Sequence, residues 1–183
     1  MKWIRDEEFI RGSIPMSKFD MRVIAMALLE IGEGDKFLDV GAGTGSLSVQ
    51  AALLGAEVYA IEREQEGIEL IRENAGRFRA EISIIHGTAP EAMYSIESFN
   101  KCFIGGSGGS LIQIADEIDK KLSVGGVLVA SFIVPDNMVE LKGILMEKKY
   151  SEIEVRLIQS SVIEGKGLMK ANNPIFLIKG KKL

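Results

Sequence analysis

Short runs of consecutive apolar residues alternate along this chain with longer stretches in which apolar residues return every three or four positions. The runs KFLDV, EVYAIE, EISIIHG, KCFIGG and GGVLVASFI read as buried strands. The intervening stretches predict helices over about 45–54, 64–75, 109–122 and from Pro135 to about 148, with a short one near 89–95. Pro135 suits the first turn of its helix. Ahead of the first strand, Ser17 is expected to cap a helix running to about Ile31, with Asp20 completing a loose capping box. Met21, Ile24, Ala25, Leu28 and Ile31 would form its buried face. Strand alternating with helix predicts an α/β fold with a mostly parallel sheet and right-handed crossovers. The ending departs from this rhythm. SEIEVRLIQSS and NPIFLIKG are two strands joined by a loop, 161–172, without helical pattern, which predicts a closing antiparallel hairpin.

Composition narrows the class. With 183 residues and 46% apolar content the chain is expected to form one domain, 1–183. Within it, 1–34 would be an N-terminal segment and helix, 35–150 a βα core and 151–183 the hairpin. No apolar run is long enough to span a membrane. MKWIRDEEFIRG has no apolar stretch of a secretory signal, so a cytoplasmic protein is expected. One cysteine, Cys102, and one histidine, His86, argue against a disulfide and against a protein-held metal. The net charge of −4 and a basic cluster confined to KGKK at 179–182 do not favour nucleic acid as a partner.

Chemistry concentrates in two glycine-rich turns. The first, DVGAGTG at 39–45, follows a strand and opens a helix. Glycines there let the backbone turn sharply and approach a ligand. Aligned as a dinucleotide fingerprint on Gly41 and Gly43, the third position is Ser46 rather than Gly or Ala, and Asp39 would repel a pyrophosphate. A cationic ligand suits Asp39 better. S-adenosylmethionine carries a sulfonium and an ammonium and no phosphate. Glu62, ending the next strand, could accept from both hydroxyls of a ribose. A tight turn without a ligand is the plain alternative.

In these residues the chain resembles the class I S-adenosylmethionine-dependent methyltransferases. The resemblance implies a Rossmann-like, seven-stranded sheet in the order 3-2-1-4-5-7-6, with helices on both faces. It implies that Gly41, Ala42, Gly43, Thr44 and Gly45 wrap the donor and that Glu62 holds its ribose. Many members place an Asp after the third strand to meet the adenine. Here HGTAPEAM offers Thr88 and Ala89, so backbone groups and apolar packing would do so.

The second turn, Gly105-Gly106-Ser107-Gly108-Gly109, ends the fourth strand, on the acceptor side of this fold. It holds no carboxylate. It could clear space for a bulky acceptor and present N–H groups to anions, or be a flexible turn. NNPIF at 172–176 precedes the last strand and is not read as an acceptor motif. Cys102 reads as a small buried apolar residue. Four segments, SIPMSKFDMR, GTAPEAM, FIGGSGG and MKANNPIFLIKG, narrow the resemblance to the precorrin methyltransferases of the cobalamin pathway. The type implied is the one that methylates carbon 15 of cobalt-precorrin-6B and decarboxylates the ring C acetate. That resemblance implies a tetrapyrrole substrate, S-adenosylmethionine as the donor, a tetrameric assembly, and Ser17 packed over the donor. Lys18, with Gly105, Gly106, Ser107 and Gly108, would meet substrate carboxylates, with Arg11, Arg22, Lys166 and Lys170 as further cations. No catalytic residue is assigned. His86 is expected near the adenine without a partner to orient it. An RNA or protein methylase, a module that binds the donor without turnover, and a dehydrogenase are the competing readings.

Overall fold

A computed structural model describes residues 3–165 and 167–183. Seven strands form one sheet: β1 (Lys36–Val40), β2 (Glu57–Glu62), β3 (Ile82–His86), β4 (Phe99–Ile104), β5 (Leu122–Phe132), β6 (Ser151–Ile158) and β9 (Ile175–Lys181). Their spatial order is β3-β2-β1-β4-β5-β9-β6. The first five run parallel, and β9 lies antiparallel between β5 and β6. This is the expected order, with the last strand inserted beside β5.

Strand alternation splits the core in two. Leu38 and Val40 of β1 face a cluster built with α4 (Leu111–Lys121) and α5 (Pro135–Glu147). Phe37 faces the other way, with Met21, Ala25 and Leu29 of α1 (Phe19–Leu29) and Leu47 and Ala51 of α2 (Ser46–Leu53). The amphipathic α3 (Gln65–Phe78) packs beside α2 and against β2 and β3. β1 and β4 sit at the centre, where crossover direction reverses. Ligands bind at that point in open α/β sheets, beyond the carboxyl ends of the strands.

Several expectations are corrected. Ser17 does not cap α1. The cap position is Lys18 in extended backbone without a side-chain cap bond, and the Ser17 carbonyl instead accepts from Arg22 Nη1 at 2.9 Å. The helix stops at Leu29, because Glu30 turns left-handed at φ 56°. Its buried face also rotates, to Met21, Arg22, Ala25, Met26 and Leu29. Residues 161–172 are not a plain loop. β7 (Ser161–Glu164) and β8 (Leu168–Ala171) form a separate antiparallel pair, with Gly165 and Gly167 at positive φ between them.

The largest correction is Arg22. It is fully buried and lines none of the three cavities described below. Its guanidinium donates to the Ile4 carbonyl at 2.6 Å and the Ser17 carbonyl, pairs with Asp6 at 3.3 Å, and stacks on Phe9 at 4.7 Å. Five fixed donors make it an internal strut for the N-terminal segment rather than a substrate cation. Gln50 Oε1 accepts from the Ile4 amide at 3.1 Å, and Asn74 brackets both backbone groups of Ile10. Removing the strut leaves buried carbonyls without donors. Arg22→Ala is expected to cost about 3 kcal/mol, read as a lower urea midpoint at constant m-value.

Candidate donor and acceptor site

The glycine turn after β1 is shaped by backbone bonds on both sides. Gly41 and Ala42 amides donate to the Ile61 carbonyl at 3.0 Å, and the Gly105 amide donates to the Val40 carbonyl at 2.8 Å. Gly41 has φ 73°, and a Cβ there would lie 2.8 Å from the Gly106 nitrogen. A Cβ on Gly105 would lie 3.0 Å from the Gly41 carbonyl oxygen. The second glycine turn is therefore packed backbone to backbone on the first. Gly106 and Gly109 have open space where a Cβ would stand.

Two cavities flank this contact. One, of about 300 Å³, is lined by Gly41, Gly43, Ile61, Glu62, Thr88 and Ala89, together with Arg63 and Glu64. The other, of about 340 Å³, is lined by Ser17, Lys18, Asp39, Phe103, the stretch Ser131–Val134 and Asn137. They share Pro15, Gly41, Gly43, Gly105, Gly106 and Ser107. Ile14 and Pro15 of the N-terminal segment cover the first, and Pro15 to Lys18 the second. Sequence reasoning missed Ser131–Val134 and Asn137, which carry no motif and are found only by their place at the end of β5.

Glu62 is preorganised. Its Oε2 accepts from the Gly43 amide at 2.8 Å, and its Oε1 from the Arg63 and Glu64 amides at 2.8 and 2.9 Å. Gly67 makes room for it, since a Cβ there would lie 2.6 Å from Glu62 Cγ. A carboxylate has about four acceptor sites, so acceptor capacity remains toward the cavity. Asp39 is buried, and Ser48 Oγ donates to its Oδ2 at 2.6 Å. Burial pushes the Asp39 carboxyl up to about 7, opposed by the Ser48 bond and assisted by the charge of Glu62. A cation entering the site would reverse that shift.

The other candidates sort as follows. Thr44 and Gly45 stand behind the turn and line neither cavity. The Thr44 carbonyl accepts from Asn74, and Gly45 starts α2 at φ 75°. Gly108 does line the first cavity, with Arg63 close by. Lys18 reaches both the second cavity and an open hollow of about 800 Å³ that also takes in Arg5, Arg11 and Lys170. Lys166 lies outside the described residues. Cys102 is buried in β4, where burial raises its thiol pKa well above the ordinary value. His86 does have a partner: its Nε2 sits 3.0 Å from the Arg63 carbonyl. Among the described residues, no three His, Cys, Asp or Glu groups converge so as to hold a metal, and no helix is long and apolar enough to cross a membrane.

Sheet order, paired glycine turns, a strand-end acid and a buried acid fit a nucleoside cation and define a class I S-adenosylmethionine-dependent methyltransferase. The comparisons agree and go further. Residues 9–174 match the model of the precorrin methyltransferase domain, and the chain belongs to that family. A probable cobalt-precorrin-6B C(15)-methyltransferase (decarboxylating) from Sulfolobus acidocaldarius is 39% identical, over 98% of this chain and 97% of its own. Its counterpart named for Salmonella typhi is 36% identical, over 98% and 96%. Among solved structures, a precorrin-6y C5,15-methyltransferase from Geobacter metallireducens superposes with a TM-score of 0.93 at 27% identity, covering 99% of this chain and 97% of that one. A precorrin 8w decarboxylase from Methanobacterium thermoautotrophicum gives 0.88 at 32% identity, over 97% and 98%.

Asp39 offers a test with a fixed sign. Its carboxyl titrates near 3.8 when unfolded and about 7 when folded. The native state therefore holds the extra proton in between, and stability falls as pH rises from about 4 to about 7. Asp39→Asn is expected to be more stable than wild type at pH 8 by on the order of 2–4 kcal/mol, with no gain at pH 4. Calorimetric titration should show wild-type donor affinity rising with pH up to about 7, and weaker, pH-independent binding in the variant.

Proposed function

We propose that the protein methylates carbon 15 of cobalt-precorrin-6B and decarboxylates the ring C acetate, within a single domain of a cytoplasmic cobalamin-pathway enzyme. The observation that carries this reading is the pair of cavities that share Pro15, Gly41, Gly43 and Gly105–Ser107 as their common wall. A donor in one can face an acceptor in the other with few side chains besides Pro15 and Ser107 at the glycine seam. S-adenosylmethionine, when bound, supplies an electrophilic methyl group. Glu62 would hold the ribose and the Thr88–Ala89 turn the adenine in the first cavity, and the positive end would reach past the glycine seam toward Asp39, which lines the second. The chain's work is alignment and exclusion of water.

The second cavity suits a broad, flat acceptor with an ionised edge. Its mouth exposes Ile133 and Val134, at 66% and 50%. Lys18 stands at one side, and the adjoining hollow mixes Arg5, Arg11 and Lys170 with Asp6, Glu7 and Asp20. Apolar residues at the rim would pack a macrocycle face while Lys18 meets a carboxylate. Among the described residues, the titratable side chains lining this cavity are Lys18 and Asp39. An electron-rich ring carbon needs no strong base to attack the methyl. In decarboxylation the acetate C–C bond breaks, and its electron pair passes into the macrocycle and is then protonated.

Relatives' names and the exposed cavity mouth support this reading, and mass spectrometry tests it. Cobalt-precorrin-6B incubated with the protein and S-adenosylmethionine should gain one methyl and lose one carbon dioxide. Methyl gain alone would remove decarboxylation from this chain, and no change would remove the substrate. In the same assay Lys18→Ala is expected to raise KM for the tetrapyrrole by about tenfold with kcat little altered, the signature of lost uniform binding. Unchanged kinetics would exclude Lys18 from the site.

A homotetramer is part of the proposal. The β7–β8 pair projects apolar surface, with Ile163, Leu168 and Met169 exposed at 62%, 75% and 66%. Apolar patches of this kind mark interfaces. Sedimentation should give a tetramer for the wild type and smaller species for Leu168→Glu combined with Met169→Glu.

A further inference from the structure

Residues 12–18 run over the two cavities, Ile14 and Pro15 lining the first and Pro15 to Lys18 the second, and the two ends of the segment are held differently from its middle. Upstream, the Ile4 amide and carbonyl are bound by Gln50 and Arg22, and both backbone groups of Ile10 by Asn74. Downstream, Arg22 holds the Ser17 carbonyl. Gln50, Asn74 and Arg22 are all fully buried. Between these anchors the roof is fastened to α3 at the surface. The Ser13 amide donates to Glu66 Oε1 at 2.6 Å, and Ser13 Oγ donates to Glu66 Oε2 at 2.5 Å. Both residues are exposed.

The surroundings are fitted to this fastening. A Cβ on Gly12 would come 2.1 Å from Glu66 Oε1, so glycine at 12 is what lets the carboxylate reach Ser13. Glu66 sits in the first turn of α3, where the helix N-terminus favours a negative charge. The next residue, Gly67, is the one that leaves room for Glu62. One helical turn thus holds the roof on one side and the strand-end acid on the other. Immediately past Ser13, Ile14 and Pro15 lie on the wall of the first cavity, and the Pro15 carbonyl oxygen would be 3.3 Å from a Cβ at Gly43. The buried anchors stay made as long as the fold does. The Ser13–Glu66 pair competes with water and opens at far lower cost.

We propose that Glu66 is a positioning residue. Through Ser13 it holds residues 12–18 closed over the donor, and the release of this pair sets the rate at which donor and spent donor exchange. The proposal rests on the reading that the cavity beside Glu62 holds the methyl donor. The two bonds are charge-assisted, and each is stronger than a neutral one although exposed.

The test follows labelled S-adenosylmethionine leaving the full-length protein when chased with unlabelled donor. Glu66→Ala is expected to speed dissociation by about tenfold. Ser13→Ala, which keeps the amide bond, should speed it by about threefold. The double variant should be no faster than Glu66→Ala alone, because Ser13 acts through Glu66. Amide exchange over 13–17 in the donor-free protein should rise with the same ranking, while exchange in β1 stays as in wild type. Glu62→Gln serves as the reference and should weaken equilibrium donor binding. If Glu62→Gln weakens binding while neither latch variant changes dissociation, the latch is overturned and the donor site stands. If none of the three has an effect, both fall. Additive effects in the double variant, or faster exchange throughout the sheet, would overturn the pairing of Ser13 with Glu66.

Discussion

The contact between Gly41 and the Gly105–Gly106 backbone is the constraint on which the rest of the site depends. β1 and β4 are neighbours at the centre of the sheet, and their chains leave the carboxyl edge in opposite directions. At the point of divergence the two turns come close enough that a single methyl group on either would strike main-chain atoms. Backbone cannot move aside as a flexible side chain can. The contact therefore fixes the separation of the turns and brings the two cavities to a common wall with hardly any side chain in it. A reaction that passes one carbon between two bound molecules needs such a wall. The glycines are thus required less for flexibility than for closeness.

The N-terminal segment completes what the sheet edge begins. An open α/β sheet leaves its ligand crevice exposed to solvent, and water competes with every polar contact made there. Here Ile14 to Lys18 lie across both cavities, carried by anchors more than forty residues distant in sequence, at Gln50 and Asn74. Asn74 binds the Thr44 carbonyl as well as Ile10, so the roof and the first glycine turn share one support. Displacing either would be felt by the other, which couples the cover of the cavities to the shape of the first glycine turn.

Much of the fold was legible because the relevant signals are local. Buried parallel strands announce themselves as continuous apolar runs, and the glycine turns and Glu62 fall at strand ends that periodicity locates. What escaped was decided by tertiary contact. Arg22 looked like a surface cation because nothing in its neighbours reveals that Ile4, Asp6 and Phe9 fold back around it. Thr44 and Gly45 belong to the motif yet face away from both cavities, since a turn into a helix must direct part of itself inward. His86 gained a partner from the Arg63 carbonyl, on a chain segment that sequence distance hides. The β7–β8 pair was missed because four-residue strands around positive-φ glycines carry too little periodicity to be told from a loop.

Asp39 shows why these parts must act together. A carboxylate in the middle of a central strand, nearly out of reach of water, is held up to about 7 by its burial. Ser48 alone does not offset that cost. The residue weakens the empty protein and becomes favourable only when a positive charge arrives beside it. Glu62 adds to the same effect by raising the Asp39 carboxyl further. Asp39 lines one cavity and Glu62 the other, and an acid on each side of the glycine seam favours a cation over a pyrophosphate on charge alone, whatever the glycine spacing. The roof then matters electrostatically as well as sterically. With residues 14–18 lying across both cavities, less water is left to screen the acids, which strengthens their attraction for a cation.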